Sequence, residues 1–187
     1  MDVQVKNICK SAALALRRVG TIRKYLDNRN AEKLIHAFVT SKIDYCNSLL
    51  YGLPDKYIGK LQRIQNSAAR IVTRTTKSEH ITPVLRDLHW LPVSKRIIFK
   101  LMLLTYKSVN HMAPKYLTDL LQAYKPGRAL RSSTDHLRLK IPRFRTDSYG
   151  GRAFSVCAPE LWNRIPLEVR ESPSLDVFKS QLKTYLF

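Results

Sequence analysis

The sequence predicts a mainly α-helical protein, a helical bundle followed by a smaller, basic C-terminal region that is α+β or irregular. Three observations carry that prediction. Apolar residues recur at steps of three and four along three stretches of residues 1–80, the spacing that keeps side chains on one face of a helix. Over 97–106 apolar side chains point all round a helix of that length, so neighbouring elements must cover it on several sides. From Lys125 onward the chain turns basic, and its periodicity shortens to two over 137–141. The expected divisions are a bundle over 1–80, apolar linking helices over 81–124, and a basic arm with a C-terminal helical region over 125–187.

The first helix is expected over 3–26, with Val5, Ile8, Ala12, Ala15, Val19, Ile22 and Leu26 forming one buried seam. Lys10, Arg17 and Lys24 recur every seven residues on another face, with Lys6, Arg18 and Arg23 near them. Such a stripe is either a solvated face or a phosphate-facing one. Asn30 is placed as N-cap of a second helix running to about Leu50, where Gly52 and Pro54 stop it. Leu34, Phe38, Tyr45 and Leu49 lie near one side of that helix, widened by Ile35, Val39, Ile43, Cys46 and Leu50. So broad an apolar surface suits the central member of a bundle. Cys46 is expected there as a small buried hydrophobe, and His36, with no Cys or carboxylate at catalytic spacing, as a structural residue. Asp55 is expected to cap a third helix to about Thr73, with Tyr57, Leu61, Ile64, Ala68, Ile71 and Val72 inward. Its other face carries Lys56, Lys60, Arg63, Arg70 and Arg74, and in an antiparallel bundle the two basic faces could join into one positive surface.

Thr82-Pro83 starts a helix that the Trp90-Leu91-Pro92 break stops, and Ser94 restarts the chain into its most apolar stretch. Pro114 is well placed as the first residue of a short helix through Leu121. Residues 125–145 hold Lys125, Arg128, Arg131, Arg138, Lys140, Arg143 and Arg145 against the single acid Asp135. Leu137, Leu139 and Ile141 alternate with Arg138 and Lys140, the pattern of a strand or extended arm with one buried and one basic face. Guanidinium forks along such an arm suit phosphate oxygens. Gly150-Gly151 marks a turn, and a brief helix over 153–159 is expected to end at Pro159, with Phe154 and Trp162 anchoring a small core rather than stacking on bases. The last helix starts at Ser174 and turns Leu175, Phe178, Leu182 and Leu186 inward.

At 187 residues and 44% hydrophobic content the chain can bury a real core. Its charge is the outlying quantity: 33 Lys and Arg against 14 Asp and Glu leave +19. Such an excess repels itself in isolation and implies a polyanionic partner, nucleic acid before an acidic membrane surface. The blander reading is a basic protein kept soluble by its charge. No apolar run reaches the roughly 18 residues of a membrane span, so no membrane is expected. Cys9, Cys46 and Cys157 are odd in number and far apart, which argues for reduced thiols in an intracellular setting, nuclear or cytoplasmic. Asp44, Asp55, Asp87 and Asp119 stand singly, whereas two-metal catalysis needs converging carboxylates. With no His-Glu-x-x-His, Cys-x-x-Cys, Gly-x-Ser-x-Gly or Gly-rich phosphate loop either, no catalytic residue, metal ligand or cofactor is expected, and no enzyme acting alone.

The succession over 36–54, His-Ala-Phe-Val-Thr-Ser-Lys-Ile-Asp-Tyr-Cys-Asn-Ser-Leu-Leu-Tyr-Gly-Leu-Pro, closely resembles reverse transcriptases of LINE-type, non-LTR retrotransposons of the jockey-like group. So do Leu61-Gln62-Arg63-Ile64-Gln65-Asn66-Ser67-Ala68-Ala69-Arg70 and Leu88-His89-Trp90-Leu91-Pro92-Val93. Arg131-Ser132-Ser133, Gly151-Arg152-Ala153-Phe154-Ser155, Ala158-Pro159-Glu160-Leu161-Trp162-Asn163 and the closing run 178–187 continue the resemblance collinearly. It implies the region downstream of a polymerase palm, a helical thumb over about 1–80 and a C-terminal extension. The family's metal-binding Tyr-x-Asp-Asp box and fingers would precede Met1, so the Mg²⁺ of the full-length enzyme finds no counterpart ligands here, and the Cys-Cys-His-Cys knuckle of some LINE proteins is missing. A start at Met1 below such a palm suggests a truncated copy, a fragment or a degenerate element.

The expectation is therefore a nucleic-acid-binding thumb and tail of an RNA-directed DNA polymerase, gripping template RNA or RNA/DNA hybrid through phosphates and not catalytic alone. Lys10, Arg17, Lys24, Lys60, Arg63, Arg70 and Arg74 would grip the backbone, and Arg128, Arg131, Arg138, Lys140, Arg143 and Arg145 would extend the track. The rival expectation is a relic without independent function, or a protein-interaction module whose apolar 97–106 helix docks on a separate palm.

Overall fold

The computed structural model describes residues 2–125, 137–146 and 149–187. Among these residues the protein is mainly helical, and it divides into two units, Met1–Ile97 and Ile98–Phe187.

In the first unit α1 (Asp2–Ile22) passes into a 3-10 turn, Arg23–Tyr25. Val5, Ala12, Leu16 and Val19 are its buried seam; Ile8 and Ala15 are half-buried and Ile22 is exposed. Arg23 stands four residues beyond Val19 and so continues the seam inward at ordinary helical spacing, whereas Ile22 falls beside it. α2 (Asn28–Ile35) is capped by Asp27, whose Oδ1 accepts the Asn30 N–H at 2.7 Å. The expected cap, Asn30, thus lies within the first turn, because Asp27 supplies the acceptor three residues earlier.

The second helix does not run unbroken to Leu50. It widens into a π-turn at His36–Thr40, resumes as α3 (Ser41–Asp44), and breaks at Cys46, whose φ is 52°, before a 3-10 turn at Asn47–Leu50. Ala31, Ile35, Val39 and Ile43 are buried. On a regular α-helix a row at four-residue steps drifts by about 40° per step. The wider π-turn takes back part of that drift and keeps the row inward. The side expected to lead the core faces out instead: Phe38, Tyr45 and Leu49 are exposed, and so is Cys46, which corrects its expected burial.

α4 (Asp55–Thr73) buries Leu61, Ala68, Ala69 and Val72 together with Gln65, and ends at Arg74 in a left-handed conformation, φ 59°. Pro54 takes the cap and Asp55 the first helical position, so the helix starts one residue earlier than expected. α4 runs parallel to α1. At one end Cys9 lies within electrostatic reach of Lys60 and Arg63, and at the other Arg23 Nε donates to the Ile71 carbonyl at 2.7 Å. The α2–α3 segment returns antiparallel to α1, with Lys42 Nζ donating to Ser11 Oγ at 2.5 Å and Arg23 Nη2 donating to Asn28 Oδ1 at 2.5 Å.

α5 (Ile81–Asp87) and α6 (Val93–Val109) flank the predicted break. Trp90 is buried, its indole N–H donating to Glu32 Oε1 at 3.1 Å and its ring 5.1 Å from that of His36, which accounts for His36 as a structural residue. Two glutamines of α4 hold the backbone here: Gln65 donates to the Leu91 carbonyl and Gln62 Oε1 accepts the Val93 N–H, both at 2.8 Å. Asp44 accepts two bonds from the Arg96 guanidinium, so this lone acid anchors α3 to the first turn of α6.

In the second unit the remainder of α6 buries Leu101, Met102, Thr105 and Tyr106. α7 (Lys115–Thr118) is shorter than expected and has Pro114 as cap. α8 (Phe154–Arg164), α9 (Leu167–Arg170) and α10 (Leu175–Leu186) complete the core. The Tyr106 ring stacks on Phe178 at 4.3 Å, and its hydroxyl donates to the Ser172 carbonyl at 2.7 Å. Trp162 is fully buried and its indole donates to the Leu137 carbonyl at 2.8 Å. α8 continues through Pro159 rather than ending there, since the buried ring packs into the core and forfeits a single backbone bond. Ser174 caps α10, accepting the Val177 N–H at 3.3 Å.

Residues 137–146 are extended, with one isolated antiparallel bridge between Ala123 and Leu139 and no strand among the described residues. The side chain of Asn163 both donates to and accepts from the Leu139 backbone, at 2.9 and 3.0 Å. Helix α8 thus supplies the hydrogen bonds that a neighbouring strand would. Leu139 is buried while Arg138 and Lys140 are exposed, as the alternation predicts; Ile141 is exposed too.

Candidate nucleic-acid interface

The parallel pairing of α1 and α4 brings the two basic stripes of the first unit to common ends. Cys9 lies within reach of Lys60 and Arg63, and Lys10 is one residue along. Fourteen residues after Cys9, Arg23 meets the end of α4, and Lys24 follows it. Lys10, Arg17, Lys24 and Arg63 are exposed, and Lys60 is half-buried. Lys24 Nζ sits 4.8 Å over the ring of exposed Tyr25, and Lys56 and Lys60 sit 5.0 and 5.4 Å over Tyr57. Tyr57 was expected inward; half-buried beside two lysines, it is part of this surface. Tyr25, 78% exposed, is not legible in the sequence, because an isolated aromatic at a helix end carries no period.

Arg23, expected near the basic stripe, is instead buried. Its Nε donates to Ile71 O, Nη1 to Leu26 O at 2.6 Å, and Nη2 to Val72 O at 2.7 Å and to Asn28. Burial first, then the neighbouring Arg74 charge, push its pKa below the usual arginine value, with Asp27 opposing. Arg70 and Arg74 are also engaged with backbone: Arg70 donates to Thr76 O at 3.1 Å and Glu79 O at 3.2 Å, and Arg74 Nη2 to Arg23 O at 3.3 Å. A guanidinium carries five N–H donors, so each keeps donors for an anion. Glu79 closes this turn, its carboxyl held below its ordinary range chiefly by the Thr76 N–H and hydroxyl.

In the second unit Arg138, Lys140, Arg143 and Arg145 lie exposed on the extended segment. Arg128 and Arg131 lie outside the described residues. Burial raises the Cys9 thiol pKa against the pull of Lys60 and Arg63, and pushes Cys157 up to about 11, so neither is poised as a thiolate. Among the described residues no group of three or more His, Cys, Asp or Glu side chains could hold a metal ion, and no helix is long and apolar enough to cross a membrane.

Compared with models of protein families, with curated proteins and with solved structures, the chain matches none.

Proposed function

We propose that the protein binds nucleic acid through its phosphates, as the thumb and C-terminal tail of a LINE-type retrotransposon RNA-directed DNA polymerase, holding template RNA or RNA/DNA hybrid without polymerising by itself. The observation that carries the binding is the parallel α1/α4 pair, in which Cys9, next to Lys10, lies within reach of Lys60 and Arg63, and Arg23, next to Lys24, meets Arg74, on a chain of net charge +19. Cations along two neighbouring helices suit a sugar-phosphate backbone and carry no base preference. The family assignment rests on the collinear runs over 36–54, 61–70 and 88–93. Any Mg²⁺ would act in the palm of the full-length enzyme, not on this chain.

Fluorescence anisotropy with an RNA/DNA hybrid tests the reading. Affinity should fall by about a hundredfold or more between roughly 50 and 200 mM salt. No binding at low salt, or binding indifferent to salt, would sink it.

A second reading, docking onto a separate polymerase palm, is favoured by a cleft of about 360 Å³ lined by Leu14, Ile22, Leu34 and Phe38 on the first unit. The 97–106 segment is a poor candidate for that contact, because Ile97, Leu101, Met102 and Tyr106 are already covered. Under this reading the chain aggregates alone and becomes monomeric when a palm domain is supplied.

A further inference from the structure

We infer that a cleft in the second unit receives the phosphate-bearing end of a nucleic-acid strand, an inference that rests on the nucleic-acid reading and narrows it. The cleft measures about 630 Å³. That lies within the roughly 300–1,000 Å³ of sites that take whole small molecules, which is enough for one nucleotide. Its lining is divided by chemistry. Lys140 and Arg143, two residues of the extended arm, bring two positive charges to one cavity. Neither side chain has a hydrogen-bond or ion-pair partner among the described residues. The Ser155 hydroxyl, in the first turn of α8, and the Gln122 amide add donors. Leu120 and Ile141, both exposed, and Pro142 form an apolar wall against which a base or sugar face can lie.

A terminal phosphomonoester carries close to two negative charges near neutral pH, against one for an internal phosphodiester. Two cations brought to one concave site therefore favour the end of a strand over its middle, and a guanidinium binds the extra oxygens through paired N–H donors. Asp119 lines the same cleft. Its carboxylate repels a phosphate beside it and accepts from a ribose hydroxyl, so it orients the phosphate toward Lys140 and Arg143.

The experiment uses the full chain and one oligoribonucleotide in four forms: 5′-phosphorylated, 3′-phosphorylated, hydroxyl at both ends, and circular. One phosphorylated form should bind about tenfold tighter than the hydroxyl-ended and circular forms. Which of the two it is identifies the strand end recognised. Lys140→Gln and, separately, Ser155→Ala should bring that ratio toward one; Arg63→Gln should weaken all four forms while leaving the ratio in place. Four forms bound alike would overturn the cleft assignment and leave the nucleic-acid reading standing. So would a tenfold ratio that survives both cleft substitutions. No binding of any form at low salt would overturn both.

Discussion

Arg23 stands in register with Leu16 and Val19 on the seam of α1, and donates to four oxygens from a site only 7% exposed. Replacing it by alanine removes the guanidinium from the Ile71 and Val72 carbonyls, while Leu26 keeps Arg74 Nη2 at 3.4 Å, and the expected cost is about 3 kcal/mol in urea unfolding. A loss below about 0.5 kcal/mol would mean that water replaces the guanidinium without penalty. Arg63 is the contrasting case, exposed on α4. Arg63→Gln should leave the unfolding midpoint where it is and reduce the slope of log K against log salt by about one, whatever the RNA sequence. The seam register of Arg23 was legible in the sequence; its positive charge assigned it to the wrong face. The thiols make a third residue-scale test. With a thiol reagent at pH 8, exposed Cys46 should react first, Cys9 more slowly, and Cys157, buried with its pKa near 11, only as the protein unfolds. Early labelling of Cys157 would contradict its burial.

The elements that were legible are those in which a period coincides with a stop signal. α4 ends where expected, the break at Trp90-Leu91-Pro92 falls between α5 and α6, and α10 begins after Ser174. The π-turn was not legible, because hydrophobic periodicity assumes a constant pitch and one extra residue in a turn rotates everything beyond it. A π-turn holds one residue more than the α-helix it interrupts, so deleting exposed Phe38 should regularise the helix and cost less stability than deleting Arg63 from the middle of α4. Equal losses on thermal unfolding would show that the wide turn is needed in its own right. Gly20 and Gly59 lie inside α1 and α4, and a Cβ at either meets nothing within 4 Å. Gly20→Ala and Gly59→Ala should each stabilise the protein by roughly 0.5–1 kcal/mol. For the arm, the two-residue alternation correctly found the buried Leu139, but what that backbone pairs with, Gln122 and Tyr124 on one side and Asn163 and Trp162 on the other, carries no period.

At the scale of the whole molecule, composition announced the charge but not its distribution. Which cations lie side by side depends on α1 and α4 running the same way, and that direction follows from the length of the α2–α3 return rather than from either stripe. If Lys10, Arg17, Lys24, Lys60 and Arg63 alone meet phosphates, the slope of log K against log salt should be about −4 to −5; a value shallower than about −2 would exclude a grip along both helices. A steeper slope would bring in the arm of the second unit. Each helix is a macrodipole with partial negative charge at its carboxyl end, and parallel packing sets two such ends together where antiparallel packing would pair opposites. Arg23, Lys24, Arg70 and Arg74 gather at that shared end. Part of the +19 is thus counter-charge to the backbone itself, and the positive potential left to attract a polyanion is smaller than the count of side chains.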